Sequence, residues 1–245
     1  MLGVSWLPTR LLFQEDSYLS RFEARVVRVV NNSVVLDQTA FHPGPFGGLD
    51  TDTGWLETSL GKTRVVKAEY REGDVYHVVE DPSIFSEGAL VTGVLDWDKR
   101  YAMMRLHTGA HVLIATIYNK YGYLVTGGHI THEYGREDFD VKDENWKTVF
   151  ESAVAEANEV LAKCLEVRVY WLSRDEALKI PGLVKLAEKT PLALEKIRVV
   201  EIPGVDIQAD GGPHVKNTCE VGKLKLLKIE NRGKTKKRIY YGLES

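Results

Sequence analysis

Cysteine is scarce in this chain: among 245 residues only Cys164 and Cys219 occur. Two cysteines are too few for the disulfide framework of a small secreted domain, so we expect reduced thiols and a cytoplasmic protein. No apolar run approaches the roughly 20 residues that span a bilayer. The first residues, MLGVSWLPTRLLFQED, lack both a basic segment ahead of the apolar ones and a cleavage site. We therefore expect neither a secretory signal nor contact with a membrane.

The chain also lacks an excess of positive charge. A net charge of −3 excludes a broadly cationic nucleic-acid coat, so any site for a polyanion must be a local patch. The glycine-rich stretch HPGPFGGLDTDTG at 42–54 contains neither a P-loop lysine nor a GXGXXG pattern. We therefore expect no nucleotide cofactor.

The apolar pattern changes near residue 96. Before that point, short β-branched runs alternate with turn residues, and Asn31-Asn32-Ser33 predicts a hairpin. After it, KRYAMMRLHTGAHVLIATIYNKYG predicts a helix that ends at Gly122, and a second helix, capped by Asp143, is followed by strand patterns. We predict an α+β protein, with a small β-barrel and its glycine-rich loop at 1–95. An α+β domain at 96–245 would pack its helices on an antiparallel sheet.

Two histidines lie four residues apart in HTGAH, on the first predicted helix. His107 and His111 would share one helix face, where two imidazoles can bind the same metal ion. Thr108 stands where HEXXH proteases carry their general-base glutamate, so the string does not indicate a metalloprotease. Taken alone, the pair could be two ordinary histidines on a half-exposed helix face.

A second string, DGGPH, places Asp210 and His214 around a tight glycine turn, where the backbone can approach another group closely. The alternative is a hairpin turn with an incidental histidine. Together the two strings supply three imidazoles and one carboxylate, which suit Zn²⁺, with a water completing the site where a protein ligand is weak. If HTGAH and DGGPH meet in the folded protein, we expect a hydrolase. The predicted metal ligands and catalytic residues are His107, His111, Asp210 and His214.

Basic residues cluster in NRGKTKKR, between two strand candidates near the C-terminus. Such a run is usually a solvated hairpin. In a chain of net charge −3, however, it is the one segment suited to phosphates. The predicted nucleic-acid contacts are Lys234, Lys236, Lys237 and Arg238.

In their order, these motifs resemble the AlaX family, free-standing relatives of the editing domain of alanyl-tRNA synthetase. HTGAH and DGGPHVKNTCEVG resemble the family's HXXXH and CXXXH elements. LDQTAFHPGPFGGLDTDTG resembles the LDXTXFYPEGGGQXXDXG stretch of the longer forms, which carry an N-terminal barrel. GREDFD at 135–140 and the GKTKKRIYYGL tail resemble further signatures, so the resemblance covers most of residues 20–245.

The resemblance implies a zinc-dependent deacylase that binds the acceptor stem of tRNA(Ala) carrying a wrong amino acid. Seryl-tRNA(Ala) is the first expected substrate and glycyl-tRNA(Ala) the second, because a pocket built for alanine discriminates poorly against either. Two alternatives stay open: a metal-dependent hydrolase of small esters or amides, and a non-catalytic tRNA-binding module. The oligomeric state is also open.

Two departures from the family pattern matter. Asp210 replaces the family cysteine; it could ligate the ion or accept a proton from the attacking water, and Cys219 could ligate instead. We favour Asp210. Leu49 replaces the glutamine of GGGQ, so recognition of serine must depend on other groups, and glycine amides could stabilise the oxyanion. The predicted substrate-binding residues are Thr39, Thr108, Gln208, Gly211 and Gly212.

Overall fold

The computed structural model of the protein describes residues 8–180, 183 and 196–244. The fold is α+β, as predicted: a closed antiparallel barrel is followed along the chain by two further sheets and by helices. The chain divides into two compact units, and the division falls after Tyr101. The predicted boundary at 95/96 stays a prediction. None of the helices in the described ranges has the length and apolar content of a membrane span.

The first unit is the barrel. Its strands are β2 (Arg21–Val30), β3 (Ser33–Leu36), β5 (Gly54–Thr58), β6 (Gly61–Arg71), β7 (Asp74–Val79) and β8 (Leu90–Leu95), beside a short parallel pair, β1 (Arg10–Leu11) and β4 (Gln38–Thr39). The barrel closes in the order β2-β3-β7-β6-β5-β8. The predicted hairpin at 31–33 is confirmed, and Asn31 takes a positive φ of 55° in its turn. Alternate residues of β2, such as Phe22, Ala24 and Val26, point into the barrel core.

One carboxylate joins the two ends of the glycine-rich stretch and pairs them with Arg100. Asp52 accepts a hydrogen bond of 2.6 Å from the backbone N–H of His42 and is paired with the buried guanidinium of Arg100. The same guanidinium donates to the carbonyl oxygen of Ala40. Leu49 is buried. The stretch is therefore a packed part of the first unit rather than a solvated polar loop.

The second unit carries two antiparallel sheets and most of the helical residues. One sheet consists of β9 (Leu124–Ile130), β10 (Gly135–Asp140), β14 (Leu224–Asn231) and β15 (Lys236–Leu243), in the order β14-β15-β10-β9. The other consists of β11 (Arg168–Ser173), β12 (Lys196–Ile202) and β13 (Asp206–Ala209), in that order. The helices are α1 (Trp97–Tyr121), which begins in the first unit, α2 (Trp146–Leu161) and α3 (Arg174–Ala177), with 3₁₀ turns at Leu12–Gln14, Phe46–Gly48 and Thr218–Val221.

Helix α2 packs on the four-stranded sheet, as predicted for this part of the chain. Its apolar face is buried, and the ring of Phe150 lies 5.5 Å from that of Phe139 on β10. The predicted cap, however, is wrong: Asn145 is the N-cap residue. Asp143 instead accepts a 2.8 Å hydrogen bond from the backbone N–H of Asn145, which draws the chain into a turn before the helix.

The expectation of two reduced cysteines is also wrong for this structure, because a disulfide joins Cys164 and Cys219. Their Cα atoms lie 4.6 Å apart. Two neighbouring side chains hold the segments together: the hydroxyl of Thr218 donates to Leu161 O at 3.0 Å and accepts from Leu165 N at 2.9 Å, and Nδ2 of Asn217 donates to Cys164 O at 2.9 Å. These bonds hold the 3₁₀ turn against the end of α2. The disulfide leaves Cys219 no thiolate with which to bind a metal.

Candidate metal centre

Helix α1 presents His107 and His111 one turn apart. Their ring centroids are separated by 5.1 Å, and the two residues are only 4% and 3% exposed. The reading of ordinary histidines on a half-exposed helix face is therefore wrong. Buried imidazoles need polar partners, and both find them in the segment at 206–214.

The DGGPH turn is held by Arg198 of β12. Its Nη1 donates to Asp210 O at 2.8 Å and to Gly212 O at 2.9 Å. Inside the turn, Gly212 N donates to Asp210 Oδ1 at 2.6 Å. A Cβ on Gly212 would lie 2.7 Å from Cε1 of His107, so the turn can approach α1 this closely only with glycine at 212.

The two half-motifs meet. One ligand atom from each of His107, His111, Asp210 and His214 lies within 4.8 Å of all the others. The Nε2 atoms of the three histidines lie 3.4, 3.6 and 3.5 Å from carboxylate oxygens of Asp210. Cys219 is not part of this group. Three imidazole nitrogens and one carboxylate oxygen converge on a single point, which is a donor set for one metal ion.

The opposite ring nitrogen of each histidine has its own protein partner. Nδ1 of His107 lies 3.3 Å from Pro213 O, that of His111 lies 2.8 Å from Asp206 Oδ2, and that of His214 lies 3.1 Å from Thr108 Oγ1. A hydrogen on each Nδ1 can be accepted by these oxygens, which leaves each Nε2 lone pair for a metal. Metal-bound histidines are oriented in this way in proteins.

Asp206 was missed by the sequence reasoning. The available signal is the alternation in DIQAD, since Asp206, Gln208 and Asp210 are spaced two residues apart, on one side of a strand. Gln208 Nε2 donates to Asp206 Oδ2 at 3.0 Å. Asp206 therefore joins the histidine on α1 to strand β13.

Burial and mutual charge govern the ionisation of the centre. Burial lowers the pKa of His111, but the hydrogen bonds to Asp206 and Asp210 outweigh it and raise this pKa to about 10. Burial favours a neutral Asp210, yet the three histidines hold the pKa of its carboxyl well below the usual value. Burial and the charge of His107 lower the pKa of His214 well below its usual value. Without an ion, a proton on His111 therefore balances the carboxylates. A divalent cation bound at this point would displace that proton, because imidazole binds metals in its neutral form.

The predicted substrate-binding residues have different surroundings. Thr108 is bonded to His214, and Gln208 to Asp206, as described above. Gly211 and Gly212 form the turn between two of the candidate ligands. Thr39 lies in the barrel unit, where its hydroxyl is 2.8 Å from Nε2 of His77. Their substrate contacts stay predictions.

The basic tail divides into inward and outward groups. Lys237 is 6% exposed, and its Nζ donates to Asn231 Oδ1 and to Gly233 O at 2.8 and 2.7 Å. Arg238 forms a bidentate ion pair with Asp138, in which Nε donates to Oδ1 at 2.6 Å and Nη2 donates to Oδ2 at 2.9 Å. Lys234 and Lys236 are exposed, although Lys236 also reaches Asp138 at 3.0 Å. Lys237 and Arg238 therefore close the hairpin, whereas Lys234 and Lys236 hold their charge toward solvent.

The fold and the centre together define a class: a chain with an N-terminal antiparallel barrel and an α+β unit whose buried histidines and aspartate can hold one metal ion. The family described as "Threonyl and Alanyl tRNA synthetase second additional domain" matches residues 197–240.

Full-length relatives extend this match. The alanyl-tRNA editing protein AlaX-M of Saccharolobus solfataricus is 49% identical over 237 residues, 95% of this chain and 98% of that protein. A protein of the same name from Methanosarcina barkeri is 36% identical over 244 residues, 96% of this chain and 99% of its own. Alanine–tRNA ligase of Thermococcus kodakarensis is 37% identical over 228 residues, 91% of this chain but 24% of the ligase. The chain belongs to the AlaX-M family of alanyl-tRNA editing proteins.

Proposed function

We propose that this protein is a cytoplasmic deacylase that hydrolyses the ester bond of mischarged tRNA(Ala), without a nucleotide cofactor. Seryl-tRNA(Ala) is the main proposed substrate and glycyl-tRNA(Ala) the second. The observation that carries the proposal is the meeting of the two half-motifs in one buried cluster, within 4.8 Å, in a chain whose full-length relatives are named alanyl-tRNA editing proteins.

Zn²⁺ is the proposed ion, with His107, His111, His214 and Asp210 as its ligands. Imidazole and carboxylate together suit zinc, and one weak or exchangeable protein ligand leaves a position for water. Bound there, the ion would lower the pKa of a water molecule and polarise the ester carbonyl. Asp210 is the ligand that replaces the family cysteine, so it is the proposed exchangeable one.

The protein groups around the ligands orient them and exclude solvent. Asp206, Thr108 and the carbonyl of Pro213 each hold one imidazole by its Nδ1. Because the cluster is buried, its charges act on the substrate with little screening by water. The aminoacyl ester is already activated, so modest assistance suffices for hydrolysis. The residues proposed to contact the aminoacyl group are Thr39, Thr108, Gln208, Gly211 and Gly212.

The exposed half of the basic tail is the proposed contact for the acceptor stem. Lys234 and Lys236 can reach phosphates, whereas Lys237 and Arg238 are proposed to act through the shape of the hairpin that presents them.

The test uses zinc-loaded protein with seryl-, glycyl- and alanyl-tRNA(Ala), following release of the amino acid. We expect selective loss of the first two. His107→Ala and His214→Ala should abolish both bound metal and activity, while His132→Ala, outside the cluster, should change neither. Equal hydrolysis of free amino-acid esters and of aminoacyl-tRNA would contradict the tRNA assignment. Binding of tRNA without metal and without turnover would contradict the enzyme.

A further inference from the structure

The sheet β11-β12-β13 has two different faces. One face packs on α3, through residues such as Tyr170 and Ala209. Successive side chains of a strand point to opposite faces, so Arg198 and Asp206 lie on the other face. Asp210 continues this second face directly after β13, because its backbone N–H donates to Arg198 O at 3.1 Å. The second face therefore carries one candidate metal ligand and the hydrogen-bond partner of another.

One row of residues crosses the second face from Asp210 to the edge strand β11. Trp171 of β11 pairs with Arg198 of β12, and Arg198 lies opposite Asp210. Neighbouring strands are about 4.8 Å apart, so the backbone of Trp171 lies about 10 Å from that of Asp210. Arg198 is 5% exposed, whereas Trp171 is 47% exposed. The indole therefore stands at the open rim of the face that carries Asp210.

An aminoacyl-tRNA presents a flat base at a similar distance from its ester. Only the terminal ribose separates the adenine from the aminoacyl group, and that span is of the same order as two strand spacings. Aromatic side chains bind nucleobases by stacking, which every base can provide with its π-face. The half-exposed indole can therefore hold the adenine while the ester lies near the histidines and Asp210.

A cation stands beside the indole on the same face. Lys196 pairs with Ser173, two residues along the strands from Arg198 and Trp171, and its side chain is exposed. Positions two apart in a strand are about 7 Å from each other, so the ammonium is within reach of the phosphate on a nucleoside stacked at Trp171. Contacts of this kind position a nucleic acid without reading its sequence. An aromatic ring beside an ammonium favours a nucleotide over an apolar segment of a protein.

We propose that the indole of Trp171 stacks on the terminal adenine of the aminoacyl-tRNA and that Lys196 contacts the phosphate 5′ of this adenosine. The assignment rests on the proposed deacylase function. It means that the sheet β11-β12-β13 holds the end of the tRNA at one rim and the hydrolytic cluster at the other, so that the bound adenosine directs its ester to the cluster.

The binding test is independent of turnover. Zinc-loaded full-length protein is titrated in a calorimeter with 3′-deoxy-3′-(L-serylamino)adenosine 5′-monophosphate, a stable amide, and with its counterpart that carries hydrogen in place of adenine. The wild type should prefer the adenine compound by about 10- to 100-fold, as for one stacked base. Trp171→Leu keeps an apolar side chain without a ring and should lower the preference to about 3-fold or less. Trp171→Phe keeps a ring and should retain a preference of about 10-fold.

The control for the indole is Tyr118→Ala. Tyr118 belongs to the same unit, lies on α1 and is 49% exposed, much like Trp171. The preference for adenine should stay at the wild-type level in this variant. Loss of the preference in Tyr118→Ala, with retention in Trp171→Leu, would move the adenine to α1 and overturn the assignment.

The phosphate contact is tested with the same amide lacking its 5′-phosphate. Removing the phosphate should weaken binding to the wild type by about 2- to 5-fold, as for an exposed ion pair. It should leave binding to Lys196→Ala unchanged. Lys163→Ala removes another exposed lysine of the same unit and should respond like the wild type. An equal effect of the phosphate in Lys196→Ala and in the wild type would overturn the role of Lys196.

The kinetic test uses seryl-tRNA(Ala). Stacking is the same in the bound substrate and in the transition state, so Trp171→Leu should raise KM and leave kcat nearly unchanged. A fall in kcat at unchanged KM would contradict a role in holding the adenosine.

The outcomes separate this proposal from the deacylase. A wild-type preference for adenine that Trp171→Leu loses, without any hydrolysis, would overturn the deacylase and leave the adenosine site standing. Hydrolysis with an unchanged preference in Trp171→Leu would overturn the role of Trp171 alone. If Trp171→Leu does not fold, the wild type decides, since equal affinity for the compounds with and without adenine would overturn the assignment.

Discussion

Substituting Asp206 should weaken metal binding although Asp206 is not a proposed ligand. Its Oδ2 lies 2.8 Å from Nδ1 of His111, and the two side chains are 14% and 4% exposed. The bond is therefore charge-assisted and poorly screened. It fixes the tautomer that presents Nε2 to the ion and increases the basicity of that nitrogen.

The magnitude follows from what each substitution removes. Loss of such an outer partner typically costs about 10- to 100-fold in metal affinity, or about 1.4–2.7 kcal/mol. Asp206→Asn keeps an acceptor oxygen and loses only the charge, so we expect about 10-fold, near the lower limit. Asp206→Ala loses the charge and the acceptor, so we expect about 100-fold.

The assay is competition between the protein and a chromogenic chelator for Zn²⁺ at pH 7.5, with Asp143→Asn as a control. Asp143 bonds Tyr123 and Asn145 and is outside the cluster, so its substitution should leave the affinity unchanged. Wild-type affinity in Asp206→Ala would refute the reasoning. So would an Asn variant that is weaker than the Ala variant, because the acceptor would then be harmful rather than helpful.

Three further outcomes are expected. Arg238→Ala should destabilise the fold by about 2–4 kcal/mol in urea unfolding, because it removes the two shortest ion-pair contacts of buried Asp138 and leaves Lys236 at 3.0 Å and Arg136 at 3.9 Å. Arg238 holds the pKa of Asp138 at about 2, so this contribution is present above pH 4 and is lost as the pH falls toward 2. Lys234→Ala should leave stability unchanged and reduce the salt slope of tRNA binding by about 1. Replacing Cys164 and Cys219 by serine should cost about 4 kcal/mol for a sequence separation of 55, and the native protein should show no thiol titre before reduction.

Each of these three predictions can be refuted by a specific result. A stability loss in Arg238→Ala that is unchanged at pH 2 would show that the ion pair with Asp138 is not its cause. An unchanged salt slope in Lys234→Ala would remove that lysine from the tRNA contact. Two reactive thiols in the native protein would contradict the disulfide.

Local patterns predicted the strands and helices well. The hairpin at 31–33, the helix that ends at Gly122 and the hairpin of β14 and β15 all depend on residues close together in the chain. Their periodicity, turn residues and positive-φ glycine act over a few residues, so they are visible without tertiary contacts. The cap of α2 was missed because Asp143 and Asn145 are both good capping residues, and their order along the turn decides between them.

The two half-motifs could also be predicted from the sequence, because a spacing of four residues on a helix or around a glycine turn is a local property. That they meet depends on contacts about 100 residues apart, such as the bond between Thr108 and His214. Asp206 was missed for the same reason: a carboxylate in a strand becomes an imidazole partner only when β13 lies beside α1.

Charge and redox state were decided by packing. In NRGKTKKR the sequence shows five cations that look equivalent, yet alternation along β15 and the position of Asp138 turn Lys237 and Arg238 inward. The two cysteines are brought together by the hydrogen bonds that Asn217 and Thr218 form with the chain at the end of α2. The chain alone therefore specified the elements and the chemical character of the candidate metal ligands. The fold decided which polar groups share a buried space, because burial and close approach are set by segments distant in sequence and determine which charges are paired and which remain available for a substrate.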